Sequence, residues 1–197
     1  MPAAIQWTWG AGHLPTTAPE PKGRPLMIRH LILAAALATA PAAFAADAKP
    51  NDAQIAHIAY TAGNIDVAAG KQALAKSQNK AVRAFASEMV RDHTAVNDKA
   101  LALVKKLNVT PQDNATSQSL SKAADAKSNE LGALSGAAFD KAYVANEVAY
   151  HKTVNGALAG TLIPNARNAE LKSLLQTGLK LFQEHEMHAE HLAGDLK

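Results

Sequence analysis

From residue 51 onward, apolar residues recur every three or four positions, and no stretch alternates in the way of a half-buried strand. The third segment of this pattern is more polar than the others. Four strong amphipathic helices and one weaker connecting helix predict an all-α fold, a four-helix bundle in which the third segment is a crossover or a kinked extension. Pro164 predicts a loop at 160–168. The helices are predicted at about 52–77, 79–107, 117–134, 137–159 and 166–193.

Several polar residues fall on the apolar stripes that face the predicted core. The second segment carries His93 on its stripe, the fourth carries Glu147, and the last carries His185 and His188. These stripes therefore predict imidazole and carboxylate groups inside the bundle. The stripe of the last segment is predicted as Leu171, Leu174, Gly178, Leu181, His185, His188 and Leu192.

The residues before the helices have the layout of an export signal. Residues 27–45 have a basic residue, Arg29, near their start, continue with a short apolar run and end in Ala-Phe-Ala, as a cleaved secretory signal peptide does. The apolar run is too short for a permanent membrane anchor. Residues 1–26 have no helical or strand period, and Met27 is the more plausible start, so we interpret 1–26 as an upstream, non-native extension. The mature chain is then 46–197, a single helical-bundle domain.

Charge and cysteine content exclude several classes of protein. Residues 46–197 hold 17 basic residues (20 minus three) and 16 acidic ones (17 minus one), which leaves a net charge of +1. This mild charge gives no indication of nucleic-acid binding. The chain has no cysteine, so thiolate metal sites, cysteine nucleophiles and a lipid-bearing cysteine are excluded. No transmembrane anchor is predicted in the mature chain, and any association with the cell envelope would be peripheral.

Three sequence blocks carry a resemblance to a known family. They are AGNIDVAAGKQALAKSQNKAVRAFASEMVRDHTAVN (62–97), LSGAAFDKAYVANEVAYH (134–151) and ELKSLLQTGLKLFQEHEMHAEHL (170–192). With the signal-like segment, these blocks resemble the domain of unknown function 4142 family of exported bacterial proteins, which are often labelled as predicted outer-membrane proteins. The resemblance implies a ferritin-like helical bundle in the periplasm or at the outer membrane, and it implies no settled activity.

Helix geometry predicts a meeting point for polar residues at mid-bundle. The hairpin of the first two segments turns near Gln78, which sets Asp66 opposite roughly Arg91 to His93. If the third segment crosses over, the fourth starts at the same end as the second. Glu147 and His151, spaced i,i+4, then reach the depth of His93. The residues predicted to meet are Asp66, Asp92, His93, Glu147 and His151.

Imidazole and carboxylate donors inside a bundle suit a first-row transition metal, here Fe, Cu or Zn. Asp66 and Asp92 could accept from the second nitrogen of a metal-bound histidine. The chain has none of the Glu-x-x-His pairs of di-iron carboxylate proteins, so a ferroxidase is not predicted. The alternative for His93 is a core histidine bonded to a neighbour.

Glu184, His185 and His188 form a second candidate group for metal binding. Counting turns from Pro164 predicts that His185 and His188 lie one to three turns from the level of His93, near one end of the bundle. The competing interpretation is a helix end at which protonated imidazoles suit the helix dipole. We predict that His191 lies at the surface.

Two function hypotheses follow from these observations. The chain has no phosphate-binding loop, nucleophile elbow or zincin motif, so an enzyme is not favoured. The first hypothesis is a non-catalytic envelope protein that serves in stress tolerance or binds a partner. The alternative is a ferritin-like metalloprotein that binds a transition metal through the histidines and carboxylates named above.

Overall fold

The computed structural model describes residues 49–196, which are helical for most of their length and contain no strand. This confirms the predicted all-α fold, and each observed helix end lies within three residues of the predicted one. The predicted extension 1–26 and signal peptide 27–45 lie outside the described residues. The helices are α1 (Asp52–Lys76), α2 (Lys80–Lys106), α3 (Ala115–Gly132), α4 (Gly136–Ala157), a π-helical turn (Leu158–Leu162), the short α5 (Ile163–Asn165) and α6 (Ala169–Asp195).

Asparagine side chains fix where four of the helices begin. Asn51 accepts from the backbone N–H of Gln54 at 2.9 Å, and the Gln54 side chain accepts from the Asn51 N–H at 3.0 Å, which completes a capping box. Asn114 forms a second capping box at α3, and the side chains of Asn79 and Asn168 each accept from two backbone N–H groups at the starts of α2 and α6. Each cap satisfies N–H groups that a helix start leaves unpaired, and each is worth about 1 kcal/mol.

The third helix is a crossover, one of the two alternatives predicted for it, and not a kinked extension. The Gln112 N–H donates to the carbonyl of Ala53 at 3.0 Å, just before α3 and just after the start of α1. At the other end, Lys76 Nζ donates to the carbonyl of Gly132 at 2.7 Å. Helix α3 therefore runs parallel to α1 along its length, and α4 starts at the same end of the bundle as α2. The ferritin-like description of this bundle stays a prediction.

The last helix starts beside the first. The Asp52 carboxylate accepts from the backbone N–H groups of Arg167 and Asn168 at 2.8 and 2.9 Å. Helix α6 therefore runs parallel to α1 and antiparallel to α2 and α4. Among residues 49–196, no helix combines the length and the apolar character that crossing a membrane requires.

The prediction of a loop at 160–168 was wrong for most of its length. The helical path of α4 continues through the π-helical turn and α5 as far as Asn165. In a regular α-helix the ring of Pro164 would clash with the carbonyl four residues earlier. The wider π turn accommodates the proline, because the Ile163 N–H pairs with the carbonyl of Leu158, five residues back.

A polar layer divides the apolar core of the bundle into two halves. The half near the start of α1 includes Ile55, Ile58, Leu158, Leu171, Leu175 and Phe182. The half near the start of α2 includes Val82, Phe85, Met89, Phe139, Tyr143 and Leu192. Between them, each of α1, α2, α4 and α6 contributes at least one buried ionisable side chain.

Candidate functional site

The polar layer consists of five side chains from four helices. Asp66 comes from α1, His93 from α2, Glu147 and His151 from α4, and His185 from α6, and each residue is only 1–2% exposed. Ionisable groups are rarely so completely buried unless they are paired or bind a metal. This polar layer is therefore the feature of the fold that most needs a chemical explanation.

Three imidazole rings in the layer form a compact triangle. The ring centroids are 5.6 Å apart for His93 and His151, 5.3 Å for His93 and His185, and 5.6 Å for His151 and His185. One ring nitrogen of each histidine lies within 4.8 Å of one on each of the others. Three imidazoles bound to one ion at metal–nitrogen distances of about 2.0–2.1 Å would have centroids about 5.2–5.5 Å apart. The observed triangle has that size.

A backbone hydrogen bond orients His151. Its Nδ1 lies 3.0 Å from the carbonyl oxygen of Glu147, one helical turn earlier, and Nδ1–H donates to that oxygen. The other nitrogen, Nε2, is buried and has no hydrogen-bond partner. This is the tautomer of a metal-binding histidine, in which a carbonyl fixes one nitrogen and the lone pair of the other is free.

A carboxylate orients His185. Its Nε2–H donates to Asp92 Oδ2 at 3.2 Å, and Arg91 in turn donates to both oxygens of Asp92 at 2.7 and 2.9 Å. The hydrogen bond from Arg91 lowers the pKa of Asp92, so this carboxylate stays ionised. The Nδ1 atom of His185 is buried without a partner. His185 therefore presents Nδ1 to the centre of the layer.

Aromatic packing and a carboxylate position His93. The imidazole stacks on the ring of Phe182, with centroids 4.5 Å apart and planes 10° from parallel. Its Nδ1 lies 3.5 Å from Asp66 Oδ2 without the alignment of a hydrogen bond, and neither ring nitrogen has a hydrogen-bond partner. With Nδ1 on the Asp66 side, Nε2 is left to face the other two imidazoles.

The two carboxyl groups of the layer lie beside the imidazoles. Donor atoms of Asp66, Glu147 and His151 lie within 4.8 Å of one another. Burial raises the pKa of Glu147 to about 7. The pKa of Asp66 is also raised, mainly by burial and secondly by the neighbouring carboxyl of Glu147. Without a cation, these groups therefore hold protons far more tightly than exposed carboxyls do.

Burial keeps the three imidazoles neutral. It lowers the pKa of His93 to about 2 and that of His151 to about 4, and it lowers the pKa of His185 despite the nearby Asp92. A neutral imidazole has a lone pair to offer to a metal, whereas a protonated one does not. The layer thus combines three neutral nitrogen donors with two carboxyl groups that can ionise beside them.

Unsatisfied polar atoms concentrate in this layer. Among the described residues, eleven buried side-chain nitrogen or oxygen atoms have no hydrogen-bond partner, and seven of them belong to the five layer residues. Each such atom costs about 1–3 kcal/mol when it stays unpaired. A bound cation would supply one partner to several of these donors at once.

The structure brings together four of the residues predicted for the mid-bundle site, which are Asp66, His93, Glu147 and His151. The fifth, Asp92, is half-buried at the edge of the layer and accepts from Nε2 of His185, the role on the second nitrogen of a histidine that was predicted for it. Adjacent positions on a helix point about 100° apart, so His93 and Asp92 approach His185 from different directions, His93 with its ring 5.3 Å away in the layer and Asp92 at Nε2 nearer the surface.

The prediction that His185 lies near one end of the bundle was also wrong. His185 sits in the polar layer, with its ring 5.3 Å from that of His93. The turn count took Pro164 as the point of reversal, whereas the helical path continues to Asn165 and α6 begins only at Ala169. The later reversal moves His185 toward the level of His151.

Glu184 and His188 were predicted with His185, but both are exposed. The buried stripe of α6 runs through Phe182 and Ala189 instead of Leu181 and His188. His188 pairs with Glu88 at the surface, its Nδ1 2.8 Å from Glu88 Oε2. The exposed position of His191, whose side chain is 81% accessible, confirms the prediction for that residue.

Sequence reasoning missed Phe182 and Glu88. Phe182 was one position away from the predicted stripe, and a stripe advanced by one residue would have identified it. Glu88 lies one turn before Asp92, and this i,i+4 pair of carboxylates was the only sequence signal for it.

Comparison with known proteins supports the fold and the family. No curated protein sequence matches the chain significantly. The crystal structure of the "putative secreted protein DUF305" from Streptomyces coelicolor is similar, with a TM-score of 0.63 and 11% sequence identity over 73% of this chain and 91% of that one. This similarity extends to the fold alone. The model of the family described as "Domain of unknown function (DUF4142)" matches residues 37–192, and the chain belongs to that family.

Proposed function

We propose that the protein binds one divalent first-row transition-metal ion in its polar layer. The ligands are Nε2 of His93, Nε2 of His151 and Nδ1 of His185. The observation that carries this proposal is the imidazole triangle, in which three helices each contribute a buried nitrogen without a partner. Each histidine also has an oxygen near its second nitrogen, and such partners orient metal-binding histidines.

Charge balance supports a dication over a monovalent ion. Asp66 and Glu147 lie within reach of the imidazoles and can supply two negative charges when they ionise. A dication, two carboxylates and three neutral imidazoles make a neutral assembly, which a buried site requires. Asp66 lies on the Nδ1 side of His93 and Glu147 on the Nδ1 side of His151, so both carboxylates balance the charge from beside the proposed ligand nitrogens.

The donor set favours one class of ion. Imidazole nitrogen suits zinc, copper, iron and nickel, whereas magnesium and calcium prefer a shell of oxygens. Copper(II) binds most tightly of the first-row divalent ions to a given nitrogen and oxygen site, with zinc(II) below it. We therefore expect Cu²⁺ and Zn²⁺ to bind more tightly than Fe²⁺ or Mn²⁺.

We also propose that the protein acts after export from the cytoplasm. The layout of residues 27–45 supports export, and the structural neighbour from Streptomyces carries a description that points to secretion. Location in the periplasm or at the outer membrane stays a prediction, and so does a role in stress tolerance or partner binding. Such a role is compatible with metal binding.

The test is equilibrium binding to the metal-free protein. Protein without a His tag is stripped with a chelator, titrated with Zn²⁺ and Cu²⁺ and followed by calorimetry and thermal unfolding. We expect one ion per chain, and a stabilisation of about 2.7 kcal/mol when free metal is a hundred times the dissociation constant. His93→Ala, His151→Ala and His185→Ala should each abolish this stabilisation.

The matched controls are His57→Ala and His191→Ala, which remove histidines outside the polar layer. Both variants should bind the ion as the unaltered protein does. Loss of binding in the controls, or no stabilisation of the unaltered protein by any first-row ion, would contradict the proposal.

A further inference from the structure

On the face formed by α2 and α6, the polar layer continues outward to the surface. Four side chains follow one another along this face. The exposed fraction of the side chain rises from 1% for His185 to 17% for Asp92, 30% for Glu88 and 47% for His188. These four residues form a continuous polar path from the buried centre to solvent, and we call them the outer path.

The members of the outer path are close enough to share an ion. Donor atoms of Glu88, Asp92 and His185 lie within 4.8 Å of one another. The exposed end is already joined by the contact between His188 Nδ1 and Glu88 Oε2 at 2.8 Å. Carboxylate oxygens and an imidazole are suitable ligands for a partly hydrated divalent ion.

We infer that the outer path is an acquisition subsite, which captures a hydrated divalent transition-metal ion from solution and passes it to the buried imidazole triangle. This inference rests on the proposed function of the triangle. His185 links the two sites, because its Nε2 faces Asp92 in the outer path and its Nδ1 faces the inner centre.

The cost of dehydration favours this route over the two ends of the bundle. An ion that moved along the bundle axis would have to pass the apolar half around Leu158 and Leu175 or the half around Phe85 and Met89. Taking a bare ion through such surroundings is expensive, because nothing replaces the lost water. Along α2 and α6, oxygen and nitrogen ligands can replace the waters one at a time.

Charge also favours capture on this face. Glu88 and Asp92 are one turn apart on α2, and Arg91 is the cation that pairs with Asp92. Two carboxylates and one guanidinium leave a local negative charge at the mouth of the path. Such a charge raises the rate at which cations arrive, and the effect weakens as salt is added.

The test measures the rate of metal loading separately from affinity. The metal-free protein is mixed rapidly with Co²⁺, and the visible absorption of the bound ion is followed with time. The test variant carries Glu88→Gln and His188→Ala. The matched control carries Glu190→Gln and His191→Ala, the same substitutions at exposed positions of α6 outside the path.

We expect the test variant to load about tenfold more slowly than the unaltered protein at low salt, with the difference shrinking at high salt. Its dissociation constant at equilibrium should change by less than about twofold, because the inner ligands are untouched. The control should load at the unaltered rate.

Two results would overturn the acquisition subsite. One is an unchanged loading rate in the test variant. The other is a weakened affinity caused by faster release alone, which would make Glu88 and His188 part of the final binding site. Failure of the unaltered protein to bind Co²⁺ at equilibrium is a separate result, and it would overturn the proposed centre itself.

Discussion

His185 on α6 and Asp92 on α2 are joined by a hydrogen bond of 3.2 Å from the imidazole Nε2 to a carboxylate oxygen. This contact determines which nitrogen of His185 faces the buried layer. Because Arg91 donates to both oxygens of Asp92, the carboxylate is restrained by Arg91 as well as by His185. The orientation of one buried ligand therefore depends on a surface ion pair on the neighbouring helix.

Replacing Asp92 should weaken metal binding without unfolding the protein. In Asp92→Asn the negative charge beside His185 is lost, and we expect affinity for Zn²⁺ to fall by about 10–100-fold, as is usual for the oxygen partners of metal-binding histidines. Competition with a chromophoric chelator measures this change. Asp98→Asn, on the exposed side of the same helix, is the control and should bind as the unaltered protein does.

Glu147 should make the metal-free protein less stable as the pH rises. Its pKa in the folded protein is about 7, above the usual 4.5, so the folded state binds more protons than the unfolded state between these two values. Stability is then lost as pH rises from about 4.5 to about 7. The Glu147→Gln variant lacks this titration. Its free energy of unfolding, relative to that of the unaltered protein at the same pH, should therefore be on the order of 1–3 kcal/mol higher at pH 8 than at pH 4.5.

Urea unfolding at the two pH values, with a chelator present, measures this effect. The comparison between pH values removes any constant cost of burying the new amide. Glu130→Gln changes an exposed carboxyl and should show no such dependence. An equal stability difference at both pH values would contradict the assignment of a raised pKa to Glu147.

Gly70 should not tolerate a side chain, because α1 and α2 approach closely there. A Cβ at Gly70 would lie 2.9 Å from Val90 Cγ2 and 3.0 Å from the carbonyl oxygen of Ala86. We expect Gly70→Ala to destabilise the fold by about 1–3 kcal/mol, since backbone atoms cannot move aside easily. In Gly156→Ala the new methyl group meets nothing within 4 Å. This control should gain about 0.5–1 kcal/mol from helix propensity, and denaturant unfolding compares the two.

Asp52 should contribute to stability through the start of α6. Its carboxylate accepts two backbone N–H groups, from Arg167 and Asn168. Asp52→Ala removes both bonds and should cost about 1–3 kcal/mol in thermal or urea unfolding. Asp125→Ala, at an exposed position of α3, is the comparison and should change stability by less than about 0.5 kcal/mol. Equal effects of the two substitutions would contradict this role for Asp52.

The sequence was sufficient to predict the helices and the convergence of four polar residues. Helix ends follow from local chemistry, such as the asparagine caps at Asn79 and Asn168. The shared depth of His93 and Glu147 follows from the position of a tight turn and a constant rise per residue. The caps and the rise per residue are local properties, whereas the shared depth also required the assumption that the third segment crosses over, which the structure confirms.

The position of His185 could not be predicted in the same way. It depends on where the chain reverses between α4 and α6, and Pro164 does not end the helical path because a π turn accommodates it. The choice between Leu181 and Phe182 for the buried stripe depends on packing against His93. Such choices are made by tertiary contacts, and sequence periodicity alone leaves an error of one residue.

The crossover of α3 has a consequence for how the chain is held together. It separates the hairpin of α1 and α2, which carries Asp66 and His93, from the hairpin of α4 and α6, which carries Glu147, His151 and His185. Neither hairpin contains the whole imidazole triangle, so the proposed centre exists only once the two hairpins have docked. An ion bound there would join distant parts of a chain that has no cysteine, and it would act as a reversible cross-link that chelators can open.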